Sequence, residues 1–406
     1  MNILILTHFL GRGGSSSLSV QVCNILRRNG HQVQILATLK TDDRVTDDAI
    51  FLFDRPYRSN SRAMRILLAE IKKLSPDLVY SISGTIEMEV LRFLSIPRIR
   101  HFSSLESHDA LDIRHLFNQA KICFDGVTAN TPDVIETLQA WSSGSTFLTG
   151  TFPYALNESL WEIPLDPPPA PSGQPIEICF IGRLEPYQKR ADWLAEIINL
   201  TNQSRIPVEW HIYGDGPLKE SLLEETKRLH PPPAVHFHGW LDQKELVSRL
   251  PAHDLFFLCS RWEGLPIAMV EAMLCGQACL VPDTCAGAGY ALDSGGGWLY
   301  QANSPIACAA KLMALISKPE LIHQERLLAS TVAREKFLGP VPSIQSQNCF
   351  QMFSKVRFNG HAESIDNYRP YTHLPPFRLI RSHLLHAGNV IRTRITTQIT
   401  RLCSLF

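Results

Sequence analysis

Two carboxylates and two cations are the residues whose types and spacing could do chemistry. Glu263 and Glu271 stand with seven residues between them in Arg261-Trp262-Glu263-Gly264-Leu265-Pro266-Ile267-Ala268-Met269-Val270-Glu271-Ala272. A helix beginning near Pro266 puts one in a loop and the other about two turns along. The helix N-terminus between them offers unpaired N–H groups and a positive dipole end, which suit phosphates or sugar hydroxyls. Arg183 and Lys189, six apart across a turn, suit a diphosphate, with Arg as a fork and Lys as a point charge. A carboxylate pair could also be the acid and base of a glycoside hydrolase, but that leaves the basic pair without a task.

These groups must be carried by strands and helices. The run Asp254-Leu255-Phe256-Phe257-Leu258-Cys259 reads as a buried strand, and Leu265, Met269, Ala272 and Met273 recur at helical spacing after it. Pro266 fits a first helical turn. The chain opens with a strand over Ile3 to Thr7, a glycine-rich loop through Gly13 and Gly14, a helix closed by Gly30, and a strand over Gln32 to Thr38. This is a β-α-β unit, but the loop is not a G-x-G-x-x-G fingerprint, which argues against a nicotinamide oxidoreductase. Arg183 and Lys189 follow a strand over Ile176 to Gly182, and a strand over Val208 to Tyr213 leads to Gly214-Asp215-Gly216. Residues 305–338 are expected to be helical. Alternating strands and helices predict α/β architecture with two doubly wound sheets.

Bulk properties bound the function. The 406 residues hold 39 Lys+Arg and 39 Asp+Glu, so nothing global points to nucleic acid. The ten cysteines form no C-x-x-C pair or zinc pattern and read as core thiols of a reducing compartment. No D-x-D occurs, and no catalytic metal is expected. The start, Met1-Asn2-Ile3-Leu4, lacks signal-peptide features, and no apolar run is long enough to span a membrane. The expected division is a first domain over 1–163, a Pro-rich linker over 164–175, a second domain over 176–338, a crossing helix within 339–358, and a basic tail over 359–406. The tail from Tyr368 onward has six Arg and no acid, with Leu379, Ile380, Leu384 and Leu385 as an apolar stripe. Such a tail suits an anionic membrane surface.

The stretch E-G-L-P-x-x-x-x-E-A resembles the signature of retaining family 4 glycosyltransferases of the GT-B fold. So do the first glycine loop with Gly30-His31-Gln32-Val33 after it, G-R-L-x-x-x-x-K from Gly182 to Lys189, and the turns at Gly214-Asp215 and Gly239-Trp240. The resemblance covers roughly residues 1–335. It implies two Rossmann-like domains facing a central cleft and a nucleotide-diphosphate sugar as co-substrate, with no further cofactor. It places Gly13 and Gly14 near the donor phosphate and acceptor, and Gly214, Asp215, Gly239 and Trp240 beside the base. It gives Glu271 the ribose hydroxyls, gives Glu263 the sugar hydroxyls helped by the backbone of Gly264, Leu265 and Pro266, and gives Arg183 and Lys189 the leaving diphosphate. A His after the fifth strand would lie beside the reacting sugar; His108 is the choice, with Glu106 and His101 as rivals. The family's P-N-G turn near the hinge is replaced by Thr149-Gly150-Thr151-Phe152-Pro153.

The expected function is sugar transfer with retention to a hydroxyl of a glycan or lipid-linked acceptor, in cell-surface polysaccharide biosynthesis. The expected location is the cytoplasm, peripheral on the inner membrane face. The alternative is a non-catalytic nucleotide-sugar-binding protein of the same fold.

Overall fold

The computed structural model describes residues 1–367 apart from 12–13, 42–45, 47, 58, 106–116, 118–122, 143–146, 154–155, 157–160, 162–173, 205, 339, 359 and 361. The first sheet comprises β1 (Asn2–Phe9), β2 (Gln32–Leu39), β3 (Ile50–Phe53), β4 (Leu78–Ser81), β5 (Arg98–Phe102), β6 (Gly126–Ala129) and β7 (Leu148–Thr151). Its order is β3-β2-β1-β4-β5-β6-β7, all parallel. The second sheet comprises β8 (Ile176–Ile181), β9 (Val208–Tyr213), β10 (Ala234–Gly239), β11 (Leu255–Phe257), β12 (Ala278–Pro282) and β13 (Gly297–Tyr300). Its order is β10-β9-β8-β11-β12-β13, again all parallel.

Parallel strands need covering on both faces, and the central strands are accordingly continuous apolar runs. Ile3, Leu4, Ile5 and Leu6 of β1 are all buried, as is every residue of β11. The helices α1 (Gly14–Arg28), α2 (Asn60–Leu74), α3 (Thr85–Glu89) and α4 (Pro132–Ser142) belong to the first domain. Helix α2 shows why such segments are helical: Ala63, Met64, Leu67, Leu68 and Ile71 make one buried face, and Ser59 accepts the Arg62 N–H as N-cap. The second domain carries α5 (Leu194–Thr201), α6 (Lys219–Lys227), α7 (Gln243–Arg249), α8 (Ile267–Leu274), α9 (Ala288–Leu292), α10 (Pro305–Ile316) and α11 (Pro319–Phe337). Helix α7 starts on a capping box between Asp242 and Glu245.

The last helix, α12 (Pro340–Lys355), returns to the first domain and packs on β7. Its Cys349, Met352 and Phe353, with Val356 just beyond, are buried in one cluster with Ile3, Ile5, Tyr80 and Ile99. The Phe353 and Tyr80 rings meet edge to face at 5.1 Å. Trp161, which the sequence reading assigns to the first domain, is fully buried in the second core.

Several local expectations change. The stretch 305–338 is helical as expected, but as two helices, because Pro319 starts a new one after the break at Ser317 and Lys318. Pro266 is the N-cap of α8 rather than a residue of its first turn. Glu271 is the fifth residue of α8, so it lies just over one turn in, not two. The segment Leu148–Thr151, where a hinge turn was sought, is the edge strand β7.

Each sheet reverses winding at one point, between β1 and β4 in the first and between β8 and β11 in the second. Ligands of doubly wound sheets bind at that point, outside the carboxyl ends of the strands. The segments in question follow β1 at Leu10 and Gly11 and β4 at 82–84 on one side, and are 182–190 and 258–266 on the other.

Candidate active site

The second switch point gathers the basic pair and one of the two carboxylates. The loop after β8 is shaped by Glu185, whose carboxylate accepts N–H bonds from Tyr187, Gln188 and Lys189 at 2.7–3.2 Å. The loop is tied to the one after β11: Arg261 N–H donates to Gln188 O at 2.7 Å, and the Tyr187 and Trp262 rings meet at 5.1 Å. Lys189 is thereby delivered to Glu263, Nζ to Oε1 at 2.6 Å. Ser260 Oγ donates to the same Oε1 at 2.8 Å, and Gln188 Nε2 donates to Oε2 at 3.1 Å. Glu263 is buried, and its two oxygens take three donors, from Lys189, Ser260 and Gln188. Arg183 is exposed at the loop mouth, with Nη2 donating to Gln188 Oε1 at 3.2 Å. Gln188 therefore links Arg183 to Glu263.

Glu263 is held from the other side by the loop before α9. Ala286 N–H donates to Glu263 O at 3.0 Å and Gly287 N–H to Gly264 O at 3.2 Å. Pro266 then turns the chain into α8, whose first N–H groups have no partner one turn earlier. Leu265 is buried beneath this turn.

Glu271 lies on α8 apart from this cluster. It is buried, and Gln243 Nε2 donates to its Oε1 at 2.8 Å. Burial pushes its carboxyl up to about 7, with the Gln243 hydrogen bond pulling the other way. Near neutral pH it therefore exchanges a proton readily, so a ligand hydroxyl donating to it would favour the ionised form.

The loops after β9 and β10 complete this rim. Gly214 has φ +143°, and a Cβ there would stand 1.9 Å from Gly182 O, so no larger residue fits. Gly214 N–H donates to Gly239 O at 2.7 Å, which joins the two turns. Asp215 is exposed and its carboxyl is held below the usual range by the Gly216 N–H and Lys219. Trp240 is 46% exposed, an unusual position for an indole and one suited to covering a flat ligand.

Across the cleft, Gly14 opens α1, and a Cβ on it would meet nothing within 4 Å. Gly13, His108 and Glu106 lie outside the described residues. His101 is a core residue: Nδ1 is 3.1 Å from Tyr80 Oη and 2.9 Å from Thr128 Oγ1, and Nε2 is 3.0 Å from Asn130 Oδ1. Burial and the neighbouring Arg100 bring its pKa down to about 3, so it stays neutral and serves packing.

The first switch point holds a pair that the sequence reading did not single out. His8, at the end of β1, has Nδ1 3.0 Å from Oε1 of the fully buried Glu87 on α3. Burial raises the Glu87 carboxyl, but the His8 hydrogen bond and charge outweigh it and leave it below its ordinary value. The imidazole is about one-third exposed. The signal in the sequence was only a His directly before a glycine loop.

The domains touch beside the cluster. A Cβ on Gly264 would stand 1.6 Å from Ser103 O, and one on Gly287 would stand 3.2 Å from Thr131 Cγ2. The loops of the second sheet thus meet the carboxyl ends of β5 and β6.

Comparison with known proteins bears on the family and the fold. Residues 165–328 match the family model described as "Glycosyl transferases group 1". Over 101 residues the chain is 32% identical to an uncharacterized 41.2 kDa protein in the cps region of Klebsiella pneumoniae, covering 25% of this chain and 26% of that protein. Over 71 residues it is 32% identical to the putative glycosyltransferase EpsF of Bacillus subtilis (strain 168), covering 18% of each. The chain thus aligns with only about a quarter or less of these curated relatives' lengths. Among solved structures, the apo lipopolysaccharide outer core galactosyltransferase WaaB superposes with TM-score 0.64 at 17% identity, over 87% of this chain and 100% of that one. Anabaena HepE in complex with UDP and glucose superposes with TM-score 0.63 at 18% identity, over the same shares. The pneumococcal O-GlcNAc transferase GtfA in complex with UDP and GlcNAc gives TM-score 0.66 at 11% identity, over 87% and 99%. At these identities the likeness establishes the fold, which is GT-B.

Proposed function

We propose that this chain, whose second domain matches glycosyl transferases group 1, is a retaining glycosyltransferase of family 4. It moves a sugar from a nucleotide-diphosphate sugar to a hydroxyl of a glycan or lipid-linked acceptor in surface-polysaccharide biosynthesis. The single observation that carries this reading is the meeting of Lys189, Gln188 and Glu263 at the second switch point, with Arg183 at its mouth. Two cations, a buried carboxylate and a helix N-terminus at one strand end suit an anionic diphosphate joined to a polyol.

In this reading Arg183 and Lys189 neutralise charge on the leaving diphosphate, an effect worth several kcal/mol in a cleft that excludes water. The Lys189 and Glu263 pair of the free protein opens: Nζ turns to the phosphates and the carboxylate takes sugar hydroxyls. Glu271 takes the ribose hydroxyls and Gln243 orients it. The turns at Gly214-Asp215 and Gly239-Trp240 border the base. His8, held by Glu87, and Gly14 at the start of α1 are assigned to the acceptor side; the roles proposed for Gly13 and His108 there fall outside the described residues. Attack from the face the leaving group departs from needs no protein nucleophile, and no resident cofactor or metal enters the reaction. The complexes of HepE with UDP and glucose and of GtfA with UDP and GlcNAc support a nucleotide-sugar donor. The cps-region and EpsF relatives support the polysaccharide setting.

Among the described residues no helix is long and apolar enough to cross a membrane. The basic tail from 368 lies outside the described residues, and its contact with an anionic inner membrane face is part of this proposal.

The test is thermal stabilisation by UDP, GDP, ADP and their sugars, on the native chain and on Glu271→Ala. A shift with one nucleotide, lost in the variant, is expected. No shift with any of them would overturn the donor assignment.

A further inference from the structure

A second cluster of chemistry-bearing side chains lies on the sheet face at β8, β9 and β10, removed from the donor loops. Strand pairing sets Glu177 beside Glu209, and His211 beside both Cys179 and His236. Parallel neighbours point to the same face, so Glu177, Glu209, His211, Tyr213, His236 and His238 share it. His253, which leads into β11, comes up against the same group: its ring lies 4.3 Å from that of His211, tilted 32°. Strands of a buried sheet rarely present such a row of imidazoles, and the assembly described above gives it no task.

We propose that Glu177, His211 and His253 form a binding site for a Zn2+ ion. One carboxylate oxygen and one ring nitrogen from each histidine already lie within 4.8 Å of one another. Bonds of ~2.1 Å to a tetrahedral ion set ligand atoms about 3.4 Å apart, so the widest gap must close a little while the 2.5 Å His211–Glu177 contact opens. Two imidazoles and a carboxylate are a donor set that Zn2+ accepts, with its fourth position left to water.

The partners of the remaining atoms support this choice. His253 is 3% exposed, and its Nδ1 is buried with no hydrogen bond. An orphaned ring nitrogen in a core is costly unless something takes it. Its Nε2 is 2.7 Å from Tyr213 Oη. His211 Nε2 is 2.5 Å from Glu177 Oε2, while its Nδ1 is 3.0 Å from His238 Nε2. With His253 Nδ1 and His211 Nε2 taken by the ion, the second nitrogen of each histidine is fixed by a neighbour, which is how ligating imidazoles are oriented. The cost is also visible. The ion must open the shallow wedge between the rings and replace the His211–Glu177 hydrogen bond. His238 must turn its proton toward Arg249, an exposed side chain 3.4 Å away that can swing off.

A rival trio, Glu209, His211 and His236, shares His211. His236 is exposed, Glu209 is half-buried, and the two already pair with each other at 3.4 Å. They leave no buried atom wanting a partner, so the first trio is favoured. Its ion would pin β8 and β9 to the segment before β11, and so brace the donor domain from the end opposite its loops.

The experiment uses the full chain with any affinity tag removed, titrated with Zn2+ against a chromophoric chelator and, separately, with Co2+ followed in the visible spectrum. One Zn2+ per chain, the bands of tetrahedral Co2+ and a raised Tm are expected. Glu177→Gln and His211→Asn, both at partly exposed positions, should each weaken binding at least about tenfold with the circular dichroism unchanged. His253→Gln should do the same, and Glu209→Gln and His236→Ala should leave binding intact. Absence of stoichiometric Zn2+ would overturn the proposal. So would binding that survives Glu177→Gln but is lost in Glu209→Gln.

Discussion

An ideal Cβ on Gly264 would stand 1.6 Å from the carbonyl oxygen of Ser103. The two residues belong to different domains, so the N-terminus of α8 is pressed against the first domain through a bare Cα. Gly264→Ala must displace the Ser103 peptide or part the domains at that point. A packed interior yields less readily than a cleft. The expected outcome is a folded variant whose kcat falls about a hundredfold, the scale set by small misplacements of reacting groups. Nucleotide affinity, which the proposed function assigns to the second domain, should barely change. Paired turnover and nucleotide-binding measurements check this; unchanged kcat would mean that the contact has no part in the productive state.

The Lys189–Glu263 contact gives a second prediction. Both side chains are largely buried, so removing one partner strands the other. Lys189→Met and Glu263→Gln should each lower kcat/KM by about 10²–10³. Stability should be strongly non-additive, with the double variant losing less than the two single changes together. Urea melts of the four proteins decide it, and simple additivity would show that the contact carries no coupling.

Glu271 makes stability and binding depend on pH. Its carboxyl is raised from 4.5 to about 7 by burial, so the folded state holds this proton more tightly than the unfolded chain. Between those values the native state binds more protons, and stability falls as pH rises from about 4.5 to about 7. Above that window the loss is complete, on the order of 3 kcal/mol. Glu271→Gln should therefore match the native protein near pH 4.5 and exceed its stability at pH 8, as denaturant melts at the two values would show. If Glu271 takes the ribose hydroxyls as proposed, nucleotide affinity of the native protein should rise through pH 7, because hydroxyls donate to the ionised form. A flat profile would separate the ribose from Glu271.

The chain's own patterns show the strands and the loops that follow them because buried parallel strands are continuous apolar runs. That is why Leu255 to Phe257 and the position of Glu263 could be read directly. Lys189 and Glu263 could be named but not paired, since their contact depends on how two loops lie together. Gln188 and Gln243 were not legible at all: each reaches a carboxylate across 75 or 28 positions, and nothing local marks it. His101 looked like a site residue for being a His near a strand end. Thr128 and Asn130, which make it a core residue, come from the next strand and its end. β7 was missed because it is a short edge strand with only one apolar residue, Leu148, which is exposed.

Phe353 tests the last helix. Phe353→Ala should cost about 3–5 kcal/mol, as for other large-to-small changes in packed cores. The loss should fall on the first domain. Hydrogen exchange should show lost protection in β1 and β4, where Tyr80 is its partner, with the second sheet unaffected. Uniform loss across both sheets would show that the domains unfold as one.

The return of α12 also orders events during synthesis. Among the described residues, the buried side chains of the second core run from Trp161 to Phe337, so they are all present once Phe337 has left the ribosome. The first sheet, translated earlier, still lacks Cys349, Met352, Phe353 and Val356 along one face. It must wait with that apolar surface uncovered while the whole second domain is made behind it. The domain that begins the chain is thus the one finished last, and a stall between residues 338 and 349 would leave a mature second half attached to an unfinished first.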